Sequence, residues 1–474
     1  MDHQFLDTYD GNTGPDQFSF PVSALEQEVL SNMGPRDLLP FGQDIEDECS
    51  TLASIIRSNF HTIPDSPNGL SIRSLLEDVA KKALDVSYTG THCIQDIDKP
   101  TQRPSYIRHD VVGYADAYFE KYQKCLPFLA QDQFNALLNA FLAHQLPDDS
   151  PAIPLINSIF ALGCRLVIQL KSQDGRLADE EARRYHAAAL TARALYYPCP
   201  QTSPIAVSLI LTAAQHCLLL KLDRINSIRA LATSEEDCRL MQRIFWAVYS
   251  FEKPLALRFG RSSSIDDDFI DYSPRTIQRH PEWPKPTQAD PFICQCEYAK
   301  LCSRILKQLY SNNRSTIRRS DYEPTLYGLD QLLQAWKGSA LGQIDSMSSD
   351  PTTSSLSTGQ HSEVLLKYHE LRVTIYHKGQ PCIESAREVL AQAHQWNPNL
   401  SYYNWQIVQI PVMACCIVLL DVFSNPRSDE FRNNLAFLGM AGGWFGRLAT
   451  TTNNCVAFDE LMELIALAQQ QRKT

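Results

Sequence analysis

Apolar side chains recur at intervals of three and four residues along most of the chain from residue 110 to its end. This spacing places them on one side of an α-helix, so it predicts a succession of amphipathic helices. The predicted helices cover residues 110–125, 131–144, 151–171, 179–195, 203–222, 234–259, 291–310, 322–336, 362–377, 380–395, 405–423, 430–446 and 458–471. No run of alternating, β-branched residues is long enough to predict a strand. The pattern therefore predicts an all-α fold.

Polar residues mark where two of these helices should begin. Ser203 precedes Pro204, an arrangement in which serine caps a helix and proline occupies its first turn. Ser234 is followed three residues later by Asp237, which is the spacing of a capping box. The two glutamates between them suit the positive end of the helix dipole. The helix that starts after Ser234 should break at Gly260.

Residues 1–50 interleave acidic residues with aromatic and aliphatic ones and show no sustained helical period. They hold seven Asp and four Glu against one Arg, so most of the chain's net charge of −11 lies in this segment. The composition is typical of a disordered activation segment, in which acids keep apolar side chains solvated until a partner accepts them. An ordinary acidic, disordered terminus has the same composition, so both interpretations stay open.

The sequence predicts two regions. Residues 1–105 form an acidic, mostly disordered N-terminal region and linker, with one short helix at 71–84 among prolines and glycines. Residues 106–474 form a large multi-helix domain. Within that domain, residues 338–361 are rich in Ser, Thr, Gly and Asp and predict a disordered surface loop.

Charge and hydropathy narrow the class of protein. The helical region carries little net charge, so it offers no broad basic field for nucleic acid. The chain begins Met-Asp-His-Gln without the basic and apolar regions of a signal peptide, and we expect an intracellular protein. The longest apolar stretch, 407–420, is too short to span a bilayer and is interrupted by Gln409 and Pro411. It predicts a buried helix, and we expect no membrane association.

The common signatures of catalysis and metal binding are missing from the sequence. The fourteen cysteines never show the paired C-x-x-C spacing of a tetrahedral zinc site, and most should be reduced core thiols. No P-loop, dinucleotide-binding loop, HExxH or nucleophile elbow occurs. We therefore expect no enzymatic activity, no bound cofactor and no metal.

One constellation favours a different interpretation. Asp267, Asp268 and Asp271 have the D-D-x-x-D spacing with which all-helical isoprenoid synthases bind Mg²⁺. Three features oppose it: the acids follow a glycine and three serines, Pro274 comes soon after them, and no second metal motif follows. Acids placed after a helix break can instead cap the next turn or pair with nearby arginines.

The helix at 234–259 and the turn after it carry an ordered set of residues, at positions 243–274, that we call the hinge. The set consists of Arg243, Trp246, Glu252, Lys253, Gly260, Arg261, Asp267, Asp268 and Asp271. It resembles the signature of the fungal-specific transcription factor domain: an R-x-x-W-W helix, an Asp-Arg pair, a Gly-Arg-Pro and an acidic stretch before a proline. The resemblance extends over about residues 111–467. It departs from the family at Phe245, at Ser262 and at the Glu252-Lys253 pair, which keeps the charges.

The resemblance implies a nuclear regulator of transcription, often of a metabolic or secondary-metabolite gene set, whose helical domain restrains activity or senses a small molecule. Family members usually carry an N-terminal zinc cluster of six cysteines or paired C2H2 fingers. Before residue 110 this sequence has only Cys49 and Cys93, too few ligands for either zinc module. We expect no sequence-specific DNA binding by this chain alone. It would act through a DNA-binding or co-regulator protein, or a zinc cluster would be encoded upstream of it.

Two alternatives to this interpretation stay open. One is a Mg²⁺-dependent isoprenoid synthase that uses Asp267, Asp268 and Asp271, and the other is an interaction scaffold that senses no small molecule. If the hinge instead joins two halves of a regulatory domain, both Gly260 and Asp268 should matter for folding.

Overall fold

The computed structural model describes residues 51–63, 67–89, 106–122, 131–147, 152–172, 205–277, 290–310, 319–347, 354–395, 408–451 and 458–471, with a few further positions between 129 and 189. Every regular element within these ranges is helical, which confirms the predicted all-α class. The predicted acidic segment at 1–50 and most of the predicted helix at 179–195 lie outside the described residues.

Fifteen α-helices lie within the described residues. In order they are α1 (Thr51–Ser58), α2 (Pro67–Thr89), α3 (Arg108–Tyr122), α4 (Gln131–Leu142), α5 (Ala152–Ser172), α6 (Ile205–Leu219), α7 (Ile225–Leu231), α8 (Glu235–Arg258), α9 (Pro291–Ile305), α10 (Arg319–Met347), α11 (Ser354–Tyr376), α12 (Gln380–Gln395), α13 (Gln409–Ser424), α14 (Phe431–Thr451) and α15 (Asp459–Gln470). Short 3-10 turns occupy Phe60–Thr62, Asp267–Phe269 and Pro274–Thr276, and a π-helical turn, Leu306–Tyr310, extends α9.

The helices pack around several apolar clusters. The largest cluster is formed by α1, α2 and α11–α15. A second lies between the end of α8 and helices α9–α11, and a third unites α3, α4 and α5. A fourth is formed by α6, α7, α8 and α9. Because α8, α9 and α11 each contribute to two or more clusters, these helices connect the parts of the fold.

Helix α13 lies at the centre of the largest cluster. Every residue from Ile410 to Leu420 is buried, so the apolar stretch at 407–420 is a core helix, as predicted. Pro411 causes no break because it lies in the first turn, where a helix has no intrahelical partner for the backbone N–H. Among the described helices, none is long and apolar enough to cross a membrane.

The first part of the predicted linker at 51–105 is core structure. Residues 51–89 form α1 and α2, and the predicted short helix at 71–84 is the middle of the longer α2. Ile56, Leu76 and Val79 are fully buried in the largest cluster. Pro67 and Gly69, two of the residues that predicted a linker, lie in the first turn of α2, where they do not interrupt the helix.

The predicted loop at 338–361 is also helical over most of its length. Helix α10 continues to Met347, and α11 begins at Ser354. Few residues of this stretch are apolar, but Ala340 and Ile344 are buried in the cluster between α9, α10 and α11 and stabilise the end of α10. Tertiary burial thus outweighs the low helix propensity of Ser, Thr and Gly.

Helices α3 and α5 approach each other closely at Gly163. A Cβ atom at this position would lie 1.9 Å from the carbonyl oxygen of Tyr114, far inside van der Waals contact. The glycine therefore sets the distance between the two helices. Gly443, in contrast, is an exposed glycine in the interior of α14, and no atom lies within 4 Å of its virtual Cβ.

We predict that Gly163→Ala lowers the free energy of unfolding by about 3 kcal/mol, because the two helices must separate to accept the methyl group. Gly443→Ala, the matched control, should raise it by about 1 kcal/mol because alanine is the better helix former. Urea unfolding followed by circular dichroism measures both. Equal stability of the two variants would contradict the close approach of α3 and α5.

Candidate functional site

The hinge begins with α8, whose first turn is capped as predicted. The Ser234 hydroxyl accepts a hydrogen bond from the backbone N–H of Asp237 at 3.1 Å. Further along, Phe245, Trp246 and Tyr249 are buried together, and the ring centroids of Trp246 and Tyr249 lie 4.9 Å apart. Lys300 of α9 places its ammonium 5.0 Å from the centroid of the Trp246 ring. The aromatic part of the signature is thus the contact between α8 and α9.

A proline inside α8 leaves one backbone carbonyl without its usual helical partner. Pro254 has no N–H, so it cannot bond to the carbonyl of Ser250. The side-chain amide of Gln295 on α9 donates to this carbonyl at 3.4 Å. The Ser250 hydroxyl, which is fully buried, donates to the carbonyl of Ala247 at 2.8 Å. Helix α9 therefore compensates for the break in the α8 hydrogen-bond ladder.

The end of α8 is a Schellman motif centred on Gly260. The N–H of Gly260 donates to the carbonyl of Leu257 at 3.2 Å, and the N–H of Arg261 donates to that of Ala256 at 3.0 Å. Gly260 has φ 61°, a left-handed conformation that suits glycine. The helix break predicted at Gly260 is thus a chain reversal, and it directs residues 261–266 back along the surface of α8.

The returning segment covers two buried charges of α8, Glu252 and Lys253, which are 1% and 0% exposed. The Glu252 carboxylate accepts hydrogen bonds from the Ser264 N–H at 2.7 Å and from the Ser263 hydroxyl at 2.8 Å. The Lys253 ammonium donates to the Ser263 hydroxyl at 2.7 Å and to the carbonyl of Ile265. Both charges are therefore satisfied by the connection that follows Gly260.

Asp267 completes the buried charge network. Its carboxylate lies 3.1 Å from the Lys253 ammonium and accepts hydrogen bonds from the Tyr249 hydroxyl at 2.9 Å and from the Ser303 hydroxyl. Burial alone would raise the pKa of Asp267, but the charge of Lys253 and these hydrogen bonds outweigh it, so the pKa is lower than usual. For Glu252, burial outweighs the charge of Lys253 and the hydrogen bonds from Ser263 and Ser264, so the pKa of this carboxylate is raised.

The structure does not bring the three aspartates of the D-D-x-x-D motif to one site. Asp268 is 84% exposed, and its carboxylate lies 3.8 Å from the ammonium of Lys307, which also contacts Asp266 and Asp267. The Asp271 carboxylate accepts a hydrogen bond at 2.7 Å from the N–H of Ile225, the first residue of α7. Helix capping and ion pairing, the two roles considered from the sequence, account for all three aspartates. The cations that pair with them are Lys253 and Lys307 rather than a nearby arginine.

The two arginines of the signature lie at opposite ends of the hinge. Arg243 is 4% exposed, and its guanidinium lies 3.9 Å from the carboxylate of Glu236, about two turns earlier on α8. Arg261 is half-buried and contributes its backbone N–H to the Schellman motif. Among the described residues, no group of three or more His, Cys, Asp or Glu side chains could hold a metal ion.

A second buried ion pair connects α8 to the C-terminal half. The Arg258 guanidinium donates to both oxygens of Glu370 on α11, at 2.6 Å and 2.9 Å, and the Tyr298 hydroxyl of α9 donates to the same carboxylate at 2.8 Å. The side chains of the pair are only 10% and 7% exposed. The sequence alone does not predict this contact, because its partners are 112 residues apart.

A small cavity lies beside this ion pair. Its volume is about 30 Å³, which is room for water rather than for a metabolite. Arg258, Glu370 and Thr374 line one side, and residues of α1, α2 and α13 line the other. The Thr51 hydroxyl, at the start of α1, donates to the carbonyl of Leu257. The end of α8 therefore meets the N-terminal helices here as well.

The chain is similar to transcription factors of fungi. It is 22% identical over 445 residues to the fumonisin cluster-specific transcription factor of Gibberella moniliformis, a match that covers 77% of this chain and 64% of that protein. It is 24% identical over 334 residues to the AAl-toxin cluster-specific transcription factor of Alternaria alternata, covering 62% and 50% of the two chains. An ABC-transporter-regulating transcription factor of Aspergillus fumigatus is 26% identical over 261 residues, 45% of this chain and 28% of that protein.

The chain thus spans one half to just under two thirds of the length of the first two relatives. No model of a known protein family matches it. No solved structure matches it either.

We predict that Asp267→Asn lowers the free energy of unfolding at pH 7 by about 3 kcal/mol, because it leaves the buried Lys253 ammonium without a counter-charge. Asp268→Asn should change it by less than about 0.5 kcal/mol because that carboxylate is exposed. The interpretation of the hinge from the sequence predicts that Asp268 matters for folding, and the stability of Asp268→Asn decides between that prediction and the exposure of this residue. Urea unfolding of the two variants provides the measurement.

The pH dependence of the same variants tests the charge of Asp267. Because the folded-state pKa of Asp267 is lowered, its contribution is present above the unfolded pKa and is lost as the pH falls through the folded value. The stability difference between wild type and Asp267→Asn should therefore shrink below about pH 4. A difference that stays constant from pH 7 to pH 3 would show that the charge plays no part.

We predict strong coupling between Arg258 and Glu370. Arg258→Leu or Glu370→Leu should each cost about 3 kcal/mol because a buried charge remains alone, while the double variant should cost about 2 kcal/mol less than the sum of the two. A double-mutant cycle measures this coupling. The control is the exposed pair Arg57–Glu77, at 3.3 Å, whose coupling should be about 0.5 kcal/mol or less. Additive costs at Arg258 and Glu370 would contradict the bidentate contact.

Proposed function

We propose that this chain is a regulator of transcription that controls a metabolic or secondary-metabolite gene set in the nucleus of a fungus. The observation that carries this proposal is the similarity over 445 residues to the fumonisin cluster-specific transcription factor. The second relative is also named for a toxin gene cluster, which supports the choice of a biosynthetic gene set. The signature residues of the fungal-specific transcription factor domain, and the helical fold that they occupy, agree with this proposal.

The hinge is the part of this regulator that we propose couples its two halves. Helix α8 contacts α9 through its aromatic residues and α11 through Arg258. Charged groups of the hinge bond to neighbouring parts of the chain. Glu252 and Lys253 bond to the segment that returns after Gly260, and Asp271 bonds to the first turn of α7. Such an arrangement suits the transmission of a conformational change, because moving one helix disturbs contacts of the others.

The magnesium-dependent synthase is not our proposal. A diphosphate-binding metal site needs carboxylates that converge on a common point with open coordination positions. Here Asp267 is bound to Lys253, Tyr249 and Ser303, while Asp271 is bound to the N–H of Ile225. The relatives are named as transcription factors, which are not enzymes.

We further propose that the chain reaches its promoters through a DNA-binding or co-regulator protein. The helical region carries little net charge, so it offers no broad basic surface for nucleic acid. A small-molecule effector is a possible input to such a regulator. The cavity beside Arg258 is too small for one in this conformation.

The proposal is tested by deleting the gene in its host and measuring all transcripts. We expect a coordinated change, of at least about tenfold, in the transcripts of one group of biosynthetic genes. Complementation with wild type or with the exposed-site variant Asp268→Asn should restore them, and Asp267→Asn should not. Unchanged transcripts after deletion would overturn the proposal.

A binding experiment tests the need for a partner. The purified chain should give no sequence-specific shift of promoter DNA from the affected genes, while an extract of the host should. A sequence-specific complex with the purified chain that weakens steeply with salt would overturn the proposed partner, without affecting the proposed role in transcription.

A further inference from the structure

The connection between the Schellman motif and the 3-10 turn at Asp267–Phe269 contains three consecutive serines with different surroundings. Ser263 is half-buried, and its hydroxyl belongs to the network of Glu252 and Lys253. Ser262 and Ser264 are exposed. Within the described part of the chain, the Ser264 hydroxyl has no hydrogen-bond partner, although its backbone N–H is bound by Glu252 at 2.7 Å. Ser264 thus presents an available hydroxyl directly above a buried carboxylate.

The charges that follow Ser264 are all negative. Asp266, Asp267 and Asp268 occupy the second, third and fourth positions after it, and the nearest basic residue in sequence is Arg261, three positions before it. Protein kinases discriminate among hydroxyl groups partly through the charges of the flanking residues. We propose that Ser264 is a phosphorylation site of an acid-directed serine kinase, and that the phosphate opens the hinge. This proposal rests on the proposed function, because it assigns a regulation to the same hinge.

The reaction is a phosphoryl transfer from ATP. The Ser264 Oγ forms a bond to the γ-phosphorus while the bond from that phosphorus to the bridging oxygen of ADP breaks, and ADP leaves with the electron pair. The hydroxyl proton passes to the catalytic base of the kinase. The product is a phosphoserine that carries a charge of about −1.5 to −2 at neutral pH.

The position of Glu252 makes this charge disruptive. The Glu252 oxygen lies 2.7 Å from the Ser264 nitrogen, so a phosphate on the same residue is held close to a second, fully buried negative charge. Asp266 and Asp268 add to the repulsion, and two cations of this network already have acidic partners: Lys253 contacts Asp267, and Lys307 contacts Asp266. Like charges at such distances destabilise the folded arrangement. The segment is then expected to leave α8.

Loss of this contact would reach beyond the connection itself. Ile265, which follows Ser264, is 1% exposed and packs in the cluster of α6, α7, α8 and α9. Its carbonyl accepts from Lys253, and Asp267 accepts from Ser303 on α9. A phosphate at Ser264 therefore acts on the contact between α8 and α9 through residues on both sides of it.

Two other serines that precede acidic residues, Ser234 and Ser74, differ from Ser264 in their surroundings. Ser234 is followed by two glutamates and Asp237, but its hydroxyl caps α8. Ser74 precedes Glu77 within the continuous helix α2. Kinases bind their substrates as extended segments, and Ser264 lies outside α8 and the following 3-10 turn. These serines serve as internal comparisons within the same protein.

The test uses the full chain, ATP and two purified kinases, one directed to acidic and one to basic flanking residues. Phosphopeptide mass spectrometry should find at least about tenfold more phosphate at Ser264 with the acid-directed kinase than with the other. The Ser264→Ala variant should lack that phosphopeptide and keep the Tm of the wild type. The phosphorylated chain and the Ser264→Glu variant should both melt about 2 °C or more below it. Ser262→Glu, an exposed control two residues away, should melt close to the wild type.

Each contrary result has a definite meaning. Absence of phosphate at Ser264, or modification by the basic-directed kinase alone, would overturn the proposed site. Phosphate at Ser264 without a change in Tm relative to Ser264→Ala would overturn the proposed opening of the hinge. The transcript measurement separates these failures from that of the proposed function, because gene deletion would still change transcripts if only the phosphorylation proposal were wrong.

Discussion

The architecture of the hinge depends on the burial of the Lys253 ammonium. An ammonium with no exposure to water requires both a counter-charge and hydrogen-bond acceptors, or it must lose its proton. Glu252 is adjacent to Lys253 on α8, but its carboxylate bonds to the returning segment, and Asp267 makes the close ion pair with the ammonium. The chain therefore has to reverse after Gly260 and bring back Ser263, the carbonyl of Ile265 and Asp267. The chain reversal at Gly260, the hydroxyl of Ser263 and the carboxylate of Asp267 all serve this one requirement.

The same constraint explains why the hinge touches so much of the fold. Asp267 receives a hydrogen bond from Ser303, so the counter-charge of an α8 residue also contacts α9. One turn beyond Lys253, Arg258 reaches α11, and the carbonyl of Leu257 accepts from Thr51 on α1. Helix α8 thus contacts several neighbours through its polar residues, and its apolar residues belong to several clusters. Its ion pairs set direction and register, whereas the apolar clusters provide most of the stabilisation.

Much of the fold could be predicted from the sequence because helical periodicity is a local property. The bounds of α8 and the break at Gly260 depend on residues that are neighbours in the chain. Residues 51–89 and 338–361 were harder to predict, since their composition is that of linkers and their helices are held by distant apolar partners. The pairing of Arg258 with Glu370 was not predicted for the same reason. Spacing alone also cannot separate buried Asp267 from exposed Asp268, which differ by one position.

This division between local and distant contacts bears on how such a hinge can move. The Schellman motif and the 3-10 turn are built from short-range hydrogen bonds and can persist when the segment leaves α8. The bonds to Glu252, Lys253 and Ser303 connect separate elements and must break together, because each of them depends on the same placement of residues 263–267. Two discrete arrangements are therefore expected rather than a gradual loosening, and a switch of this kind responds to a change of charge at one residue.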